Sequence, residues 1–306
     1  MVSPAAGERG EPSAEARIAV VGPGAIGGCI AAHLRAAGHH VLLCAREPFE
    51  TLVVNTPSGM LRDSPRVETD PGQVGPFPWV LLATKAHQTD GASAWLRALA
   101  GPESRVAVLQ NGVEHEARVA PLVPGAAVLP VVVDCPAERT APGRVIQRGP
   151  AKLTVPAGRM SDTFAALFAG SAVEVSIVDD FETARWRKLS LNVAGGAVTA
   201  LTGRTLGVAR EPEIAWLARE LVLECVRVAR AQGARLNDAI ADDIVASMQA
   251  GDPGAGTSML SDLVARRPLE ADARNGAVVR IGARHGIPTP LNRAATALLL
   301  ALNRGA

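Results

Sequence analysis

One segment near the N-terminal end constrains this chain more than any other. Arg17-Ile-Ala-Val-Val-Gly22-Pro23-Gly24-Ala25-Ile26-Gly27-Gly28 is an apolar strand that runs into a G-x-G-x-x-G turn and then into a helix-like stretch, Cys29–Ala37. Each glycine answers a physical need. Gly22 permits a tight turn, Gly24 keeps side chains away from an approaching pyrophosphate, and Gly27 lets helix pack closely on strand. A helix opening at such a turn offers phosphate its unpaired N–H groups and the positive end of its dipole. A Gly-rich surface turn would carry the same letters. The strand before and the helix after make this one a dinucleotide site, with Gly22, Pro23, Gly24, Ala25, Ile26 and Gly27 as its contacts.

The next strand, His39–Cys44, ends in Ala45-Arg46-Glu47. An NAD-binding fold normally places a carboxylate here for the ribose 2′-hydroxyl. Arg46 offers charge and forked donors to a 2′-phosphate instead, which favours NADPH over NADH. The alternative gives the ribose to Glu47 and leaves Arg46 in solvent.

From Arg17 to about Pro136, short apolar strands (Ile18–Val21, Val41–Cys44, Val80–Ala83, Val106–Leu109, Ala127–Val133) alternate with helix-like stretches such as Gly91–Ala100. That rhythm predicts an α/β unit, a mostly parallel, doubly wound sheet with helices on both faces. Further strands at Val145–Gln147, Lys152–Val155 and Val173–Val178 flank a helix-like Asp162–Phe168, and beyond Asp179 the pattern turns helical. Helical periodicity covers Phe181–Ala200, Glu213–Gln232, Asp238–Gln249, Pro268–His285 and Asn292–Leu302. The chain therefore divides into a tail, 1–16, a nucleotide-binding domain, 17–178, and an all-α domain, 179–306.

At 306 residues there is room for two such domains. A net charge of +1 and 3% aromatic residues leave neither the basic field nor the stacking platforms of a nucleic-acid binder. No apolar run reaches the length of a membrane span, and residues 1–16 lack the apolar stretch of a signal peptide, so they read as a disordered lead-in. Cys29, Cys44, Cys135 and Cys225 stand too far apart in sequence for a zinc site or a redox pair. No metal is expected, and the cysteines read as reduced packing residues of a cytoplasmic protein. The apolar Leu298–Leu300 suits either a domain core or the interface of a homodimer.

Four more segments complete a pattern: Thr84-Lys85-Ala-His-Gln88, Gln110-Asn111-Gly112, Trp186-Arg-Lys188-Leu-Ser-Leu-Asn192, and Ser258-Met-Leu-Ser-Asp262 leading to Glu270 and Asn275-Gly276. In this order and spacing, with the glycine loop, the chain from Arg17 onward resembles the ketopantoate reductase family, the NADPH-dependent 2-dehydropantoate 2-reductases. The resemblance implies a Rossmann-type domain followed by a helical one, the two-domain architecture of 6-phosphogluconate dehydrogenase-like proteins. It also implies reduction of a 2-keto acid, 2-dehydropantoate to pantoate, within pantothenate biosynthesis.

Hydride delivery to a ketone builds negative charge on its oxygen, which requires a proton donor there and fixed polar groups around the rest of the substrate. Lys188 lies amid apolar neighbours in a predicted helix, and Asn192 shares its face four residues on. Taken alone, Lys188 reads equally as a solvated charge. The resemblance makes it the general acid and Asn192 a substrate contact. It makes Glu270 the partner of a substrate hydroxyl that keeps the lysine oriented, and Ser258 a holder of the substrate carboxylate. Glu270 follows Arg267-Pro268 and is expected in the first turn of a helix, where a carboxylate is favoured even as a simple cap. Lys85 and Asn111 lie just past strands three and four, at the edge where open α/β sheets bind ligands. By resemblance Lys85 sits near the cofactor ribose, Asn111 lies between nicotinamide and substrate, and Gln88 also touches the cofactor. Without it, Lys85 is a surface charge and Asn111 half of an Asn-Gly turn.

The chain departs from the family at two pocket positions, where asparagines are replaced by Gly196 and Leu206. Either nearby groups such as Thr199 or Thr202 compensate, or the pocket is wider and less polar, suited to another 2-keto acid or carbonyl compound. Two further readings compete. One is a β-hydroxyacid dehydrogenase, which also uses a helix lysine; the Trp186-Arg-Lys188 segment and the Ser258-to-Glu270 spacing speak against it. The other is a non-catalytic NADPH-binding regulator, which would have no use for Lys188.

Overall fold

The structure, a computed structural model, describes residues 17–303, and the lead-in expected to be disordered lies outside the described residues. Its first half is built on β1 (Arg17–Val21), α1 (Ala25–Ala36), β2 (His40–Cys44), β3 (Leu52–Thr56), β4 (Gly59–Asp63), β5 (Arg66–Glu68), β6 (Trp79–Leu82), α2 (Ser93–Leu99), β7 (Arg105–Val108), α3 (His115–Val119) and β8 (Ala127–Pro130). Six of these strands form an all-parallel sheet in the order β5-β2-β1-β6-β7-β8. Its four inner strands, β2, β1, β6 and β7, are buried and mainly apolar because both faces are covered. Ile18, Val20, Leu43, Leu81 and Ala107 face a core with α1, while the alternate residues Ala19, Val21, Val80, Leu82, Val106 and Val108 face α2 and α3. The strand order reverses beside β1, so the loops after β1, β6 and β7 open together at the carboxyl edge.

Seven further elements follow: β9 (Val132–Asp134), β10 (Ala137–Ala141), β11 (Arg144–Gln147), β12 (Ala151–Pro156), α4 (Arg159–Ala166), β13 (Val173–Val178) and the long α5 (Phe181–Thr202). Two small sheets, β10-β11-β3-β4 and β13-β12-β9, add layers that a simple doubly wound reading lacks. Strands β4 and β10 escape sequence analysis because most of their residues are exposed and carry no apolar alternation. The expected single strand Ala127–Val133 is two. Pro130 brings no N–H to the ladder, and after it the chain leaves β7 to pair antiparallel with β12. The four cysteines are free, and folding brings the sulfurs of Cys29 and Cys135 to 3.6 Å.

The remainder is helical: α6 (Pro212–Ala231), α7 (Ala239–Ala250), α8 (Ser258–Val264), α9 (Asn275–Arg284) and α10 (Pro290–Leu302). Helix α5 starts where the Asp180 side chain accepts from Thr183 N–H at 3.1 Å and stops at Gly203, whose φ is +66°. It is the spine of this half. Trp186, Leu189 and Val193 pack with Val222, Cys225 and Val226 of α6, each large side chain contributing about 1.5–3 kcal/mol by burial. The short residues Ala194-Gly195-Gly196-Ala197 let neighbouring segments approach α5 closely. Leu299 is core, whereas Leu298 is 57% exposed. No helix among the described residues is long and apolar enough to cross a membrane.

Candidate active site

The glycine loop is shaped by contacts that leave no room for side chains. Gly22 has φ of +87°, and a Cβ there would lie 2.6 Å from the Thr84 methyl. A Cβ on Gly27 would lie 2.3 Å from the Gly22 carbonyl oxygen, so α1 can start this close to β1 only without one. Gly24 faces open space, and no side chain caps the start of α1. Unclaimed N–H groups at the first turn of a 12-residue helix, with clear space before them, fit a dinucleotide's phosphates. Gly22 N–H also bonds the Cys44 carbonyl at 3.0 Å, tying the loop to the end of β2. Just beyond, Arg46 is exposed and has no hydrogen-bond or ion-pair partner among the described residues, so its guanidinium is available to an anion.

Lys188 projects from α5 toward the sheet domain and forms an ion pair with Asp134, at the end of β9. The lysine is 24% exposed and the aspartate 49%. A small cleft beside them is lined by Asn111, Gly112, Val132, Val133, Lys188 and Asn192. Asn192, one turn along α5, donates to Asn111 Oδ1 at 3.4 Å across the domain boundary. Gly112 has φ of +115°, and a Cβ there would meet the Ala273 carbonyl at 3.0 Å. Asn-Gly is thus a turn, as its letters allow, and the turn aims the Asn111 amide at the helical domain. Larger empty space lies elsewhere: a cavity of about 380 Å³ among Arg17, Arg35, His40 and Phe77, at the opposite edge of the sheet.

Glu270 stands at the centre of a second, buried cluster. Its carboxylate accepts from Asn111 Nδ2 at 3.0 Å, from Ala86 N–H at 3.2 Å and from Arg274 Nη2 at 3.1 Å, with Lys85 Nζ 3.5 Å away. Burial pushes the carboxyl pKa up, but Arg274, Lys85, the Asn111 amide and the Ala86 N–H outweigh it and hold it at about 2. Glu270 is therefore an anion at neutral pH, an acceptor and not a proton donor. It is not in the first turn of a helix. Helix α9 begins only at Asn275, and residues 265–274 form irregular turns in which Gly276 N–H bonds the Ala271 carbonyl at 2.9 Å. Four partners from three segments favour the carboxylate more than a helix dipole would.

Lys85 reaches across the domains to Asp262 at 2.7 Å, and Asp262 accepts from Arg267 at 3.0 Å. Gln88 Oε1 accepts from Lys85 N–H at 3.3 Å, capping the turn after β6. Ser258, the first residue of α8, accepts from Arg274 Nη2 at 2.9 Å. Lys85, Asn111, Asn192, Ser258 and Glu270 thus belong to one connected network, while Lys188 is joined to Asp134 and, among the described residues, makes no hydrogen bond or ion pair with Glu270.

Both the sequence and the overall fold are similar to those of known proteins. The sequence profile described as Ketopantoate reductase PanE/ApbA matches residues 18–160, and that of the C-terminal part matches residues 180–303. The chain belongs to the ketopantoate reductase family. It is 48% identical to a 2-dehydropantoate 2-reductase of Caulobacter vibrioides, over 92% of this chain and 97% of that one. A PanE/ApbA family ketopantoate reductase from Ralstonia eutropha superposes with a TM-score of 0.87 at 32% identity, covering 94% and 99% of the two chains. A dimeric ketopantoate reductase from Staphylococcus aureus superposes with a TM-score of 0.84 at 28% identity, again over 94% and 99%.

Within this ketopantoate reductase scaffold, three side chains at the site carry no signal legible in the sequence. Asp134 has no helical or glycine signature and gains its place only because Pro130 ends β8. Arg274 precedes the recognisable Asn275-Gly276 but reads as one more helix charge. His115 donates from Nε2 to the Gln110 carbonyl at 2.9 Å beneath the Asn111 turn; burial drives its pKa down to about 4, so it is neutral.

Proposed function

We propose that this chain uses NADPH to reduce the ketone of 2-dehydropantoate to the alcohol of pantoate, with Lys188 as the general acid. Residues 17–178 form the cofactor domain in this reading and 179–306 the substrate domain. The backbone of Gly22, Pro23, Gly24, Ala25, Ile26 and Gly27 would hold the pyrophosphate, Arg46 the 2′-phosphate, and Lys85, Gln88 and Asn111 the nicotinamide half. When bound, the dinucleotide supplies a hydride to the ketone carbon. Lys188 gives a proton to the ketone oxygen as charge builds there, so that C=O becomes CH–OH. Asp134 holds the ammonium at the cleft until then. Asn111, Asn192 and Ser258 position the substrate, and ionised Glu270 accepts from its hydroxyl while holding Asn111 and Lys85.

The observation that carries this reading is Lys188 on the cleft wall beside Asn111 and Asn192, opposite the loops at the sheet's carboxyl edge. The family and its 48% identical relative support the substrate. A cytoplasmic homodimer belongs to the same reading, supported by the dimeric Staphylococcus aureus relative and by the exposed Leu298 on α10.

The test is an assay of NADPH oxidation against a panel of 2-keto acids, with the product identified. 2-Dehydropantoate turnover to pantoate is expected to exceed that of every other member. Tight NADPH binding with silence across the panel would instead make the chain a regulator.

A further inference from the structure

One of the two positions at which the family's asparagines are lost, Gly196, leads to a cation. Gly196 lies two turns beyond Lys188 on the same face of α5. A Cβ there would come within 3.1 Å of Arg274 Nη1. The space a side chain at 196 would occupy is taken by a guanidinium from another segment. The pocket has therefore not become less polar at this point; an amide has given way to a charge. Thr199 and Thr202 do not compensate, since their hydroxyls bond the α5 carbonyls of Gly195 and Val198 at 2.7 Å.

Arg274 is only 2% exposed, and burying a charge this deeply is unfavourable unless partners meet it. Its partners do not use it up. The guanidinium donates only from Nη2, to Ser258 Oγ and Glu270 Oε2, and Nε is buried with no acceptor among the described residues. Buried donors are rarely left this way, and an unmet one points to a ligand. The local charges agree. Lys85, Arg267 and Arg274 face Asp262 and Glu270, leaving one positive charge over, which matches one carboxylate.

We propose that Arg274 anchors the carboxylate of the substrate beside Ser258, and that Gly196, by lacking a side chain, leaves the room that the guanidinium occupies. The anchor makes this enzyme specific for 2-keto acids over uncharged ketones through a charge–charge contact, where an amide would offer only a dipole. The inference rests on the reading of the chain as a 2-keto acid reductase.

The test sets the KM for the acid, 2-dehydropantoate, against the KM for its carboxamide, which keeps the ketone and loses the charge. Arg274→Met is expected to raise KM for the acid about 10- to 100-fold and to erase the preference for acid over amide, with NADPH affinity unchanged. Arg274→Lys should recover part of that preference. Gly196→Ala retains the arginine but crowds Nη1; it is expected to raise KM for the acid several-fold with little change in kcat, and it decides the matter if Arg274→Met does not fold. Wild-type KM and wild-type acid preference in the folded Arg274→Met protein, or in Gly196→Ala where the former fails to fold, would overturn the anchor alone. A wild-type protein that reduces no 2-keto acid would overturn the functional reading and the anchor with it.

Discussion

The glycine loop and the Glu270 cluster are held by opposite means. The loop is one short run of backbone whose shape depends on missing side chains: Gly27 against the Gly22 carbonyl, Gly22 against Thr84. The cluster is built mainly of side chains, and the bond from Ala86 N–H to Glu270 joins residues 184 apart in sequence. A site for phosphate needs donors that the start of any helix supplies. A buried carboxylate at a domain boundary needs charges and donors placed from several directions, and here both domains supply them.

That contrast can be broken most forcefully at Glu270. Glu270→Gln leaves Arg274 and Lys85 facing a neutral group in a buried site and should cost about 3–5 kcal/mol, read from urea unfolding at neutral pH. Because the folded carboxyl, at about 2, lies below its ordinary 4.5, its contribution is complete above that ordinary value and fades as pH falls toward 2. The wild-type advantage over Glu270→Gln should shrink across that window; an advantage constant with pH would argue against an ionised Glu270. On the other side of the comparison, Gly27→Ala forces a methyl against backbone and should cost roughly 1–3 kcal/mol, seen as weaker NADPH binding by titration calorimetry. Arg46→Ala is smaller and more selective: NADPH affinity falls about tenfold and NADH affinity holds, so an equal loss for both would return the ribose to Glu47. Least costly is Asp134→Asn, which breaks a half-exposed ion pair and should shift stability by less than about 1 kcal/mol in thermal melts.

How much of this is written in the sequence follows the same division. The loop is legible because strand, glycines and helix are contiguous. Lys188 and Asn192 are legible because helical spacing places them on one face, and Asn111 because it ends an apolar strand. Glu270 is legible as a residue but not in its setting: Pro268 reads as a helix start, whereas three partners from distant segments, together with Arg274, meet the carboxylate in a stretch of turns that lasts until Asn275. Asp134 and Arg274 are illegible in principle. The first depends on a strand that changes sheets at Pro130, the second on a space opened 78 positions away, between Gly196 and Arg274.

The proposed mechanism turns on a proton donated from the helical domain to a ketone held at the sheet's edge. Its most direct test is the steady-state rate of 2-dehydropantoate reduction by Lys188→Ala, beside NADPH binding by the same protein. A fall in kcat of about 10²–10⁴-fold with NADPH affinity intact is predicted. Turnover close to wild type with the cofactor still bound would contradict it.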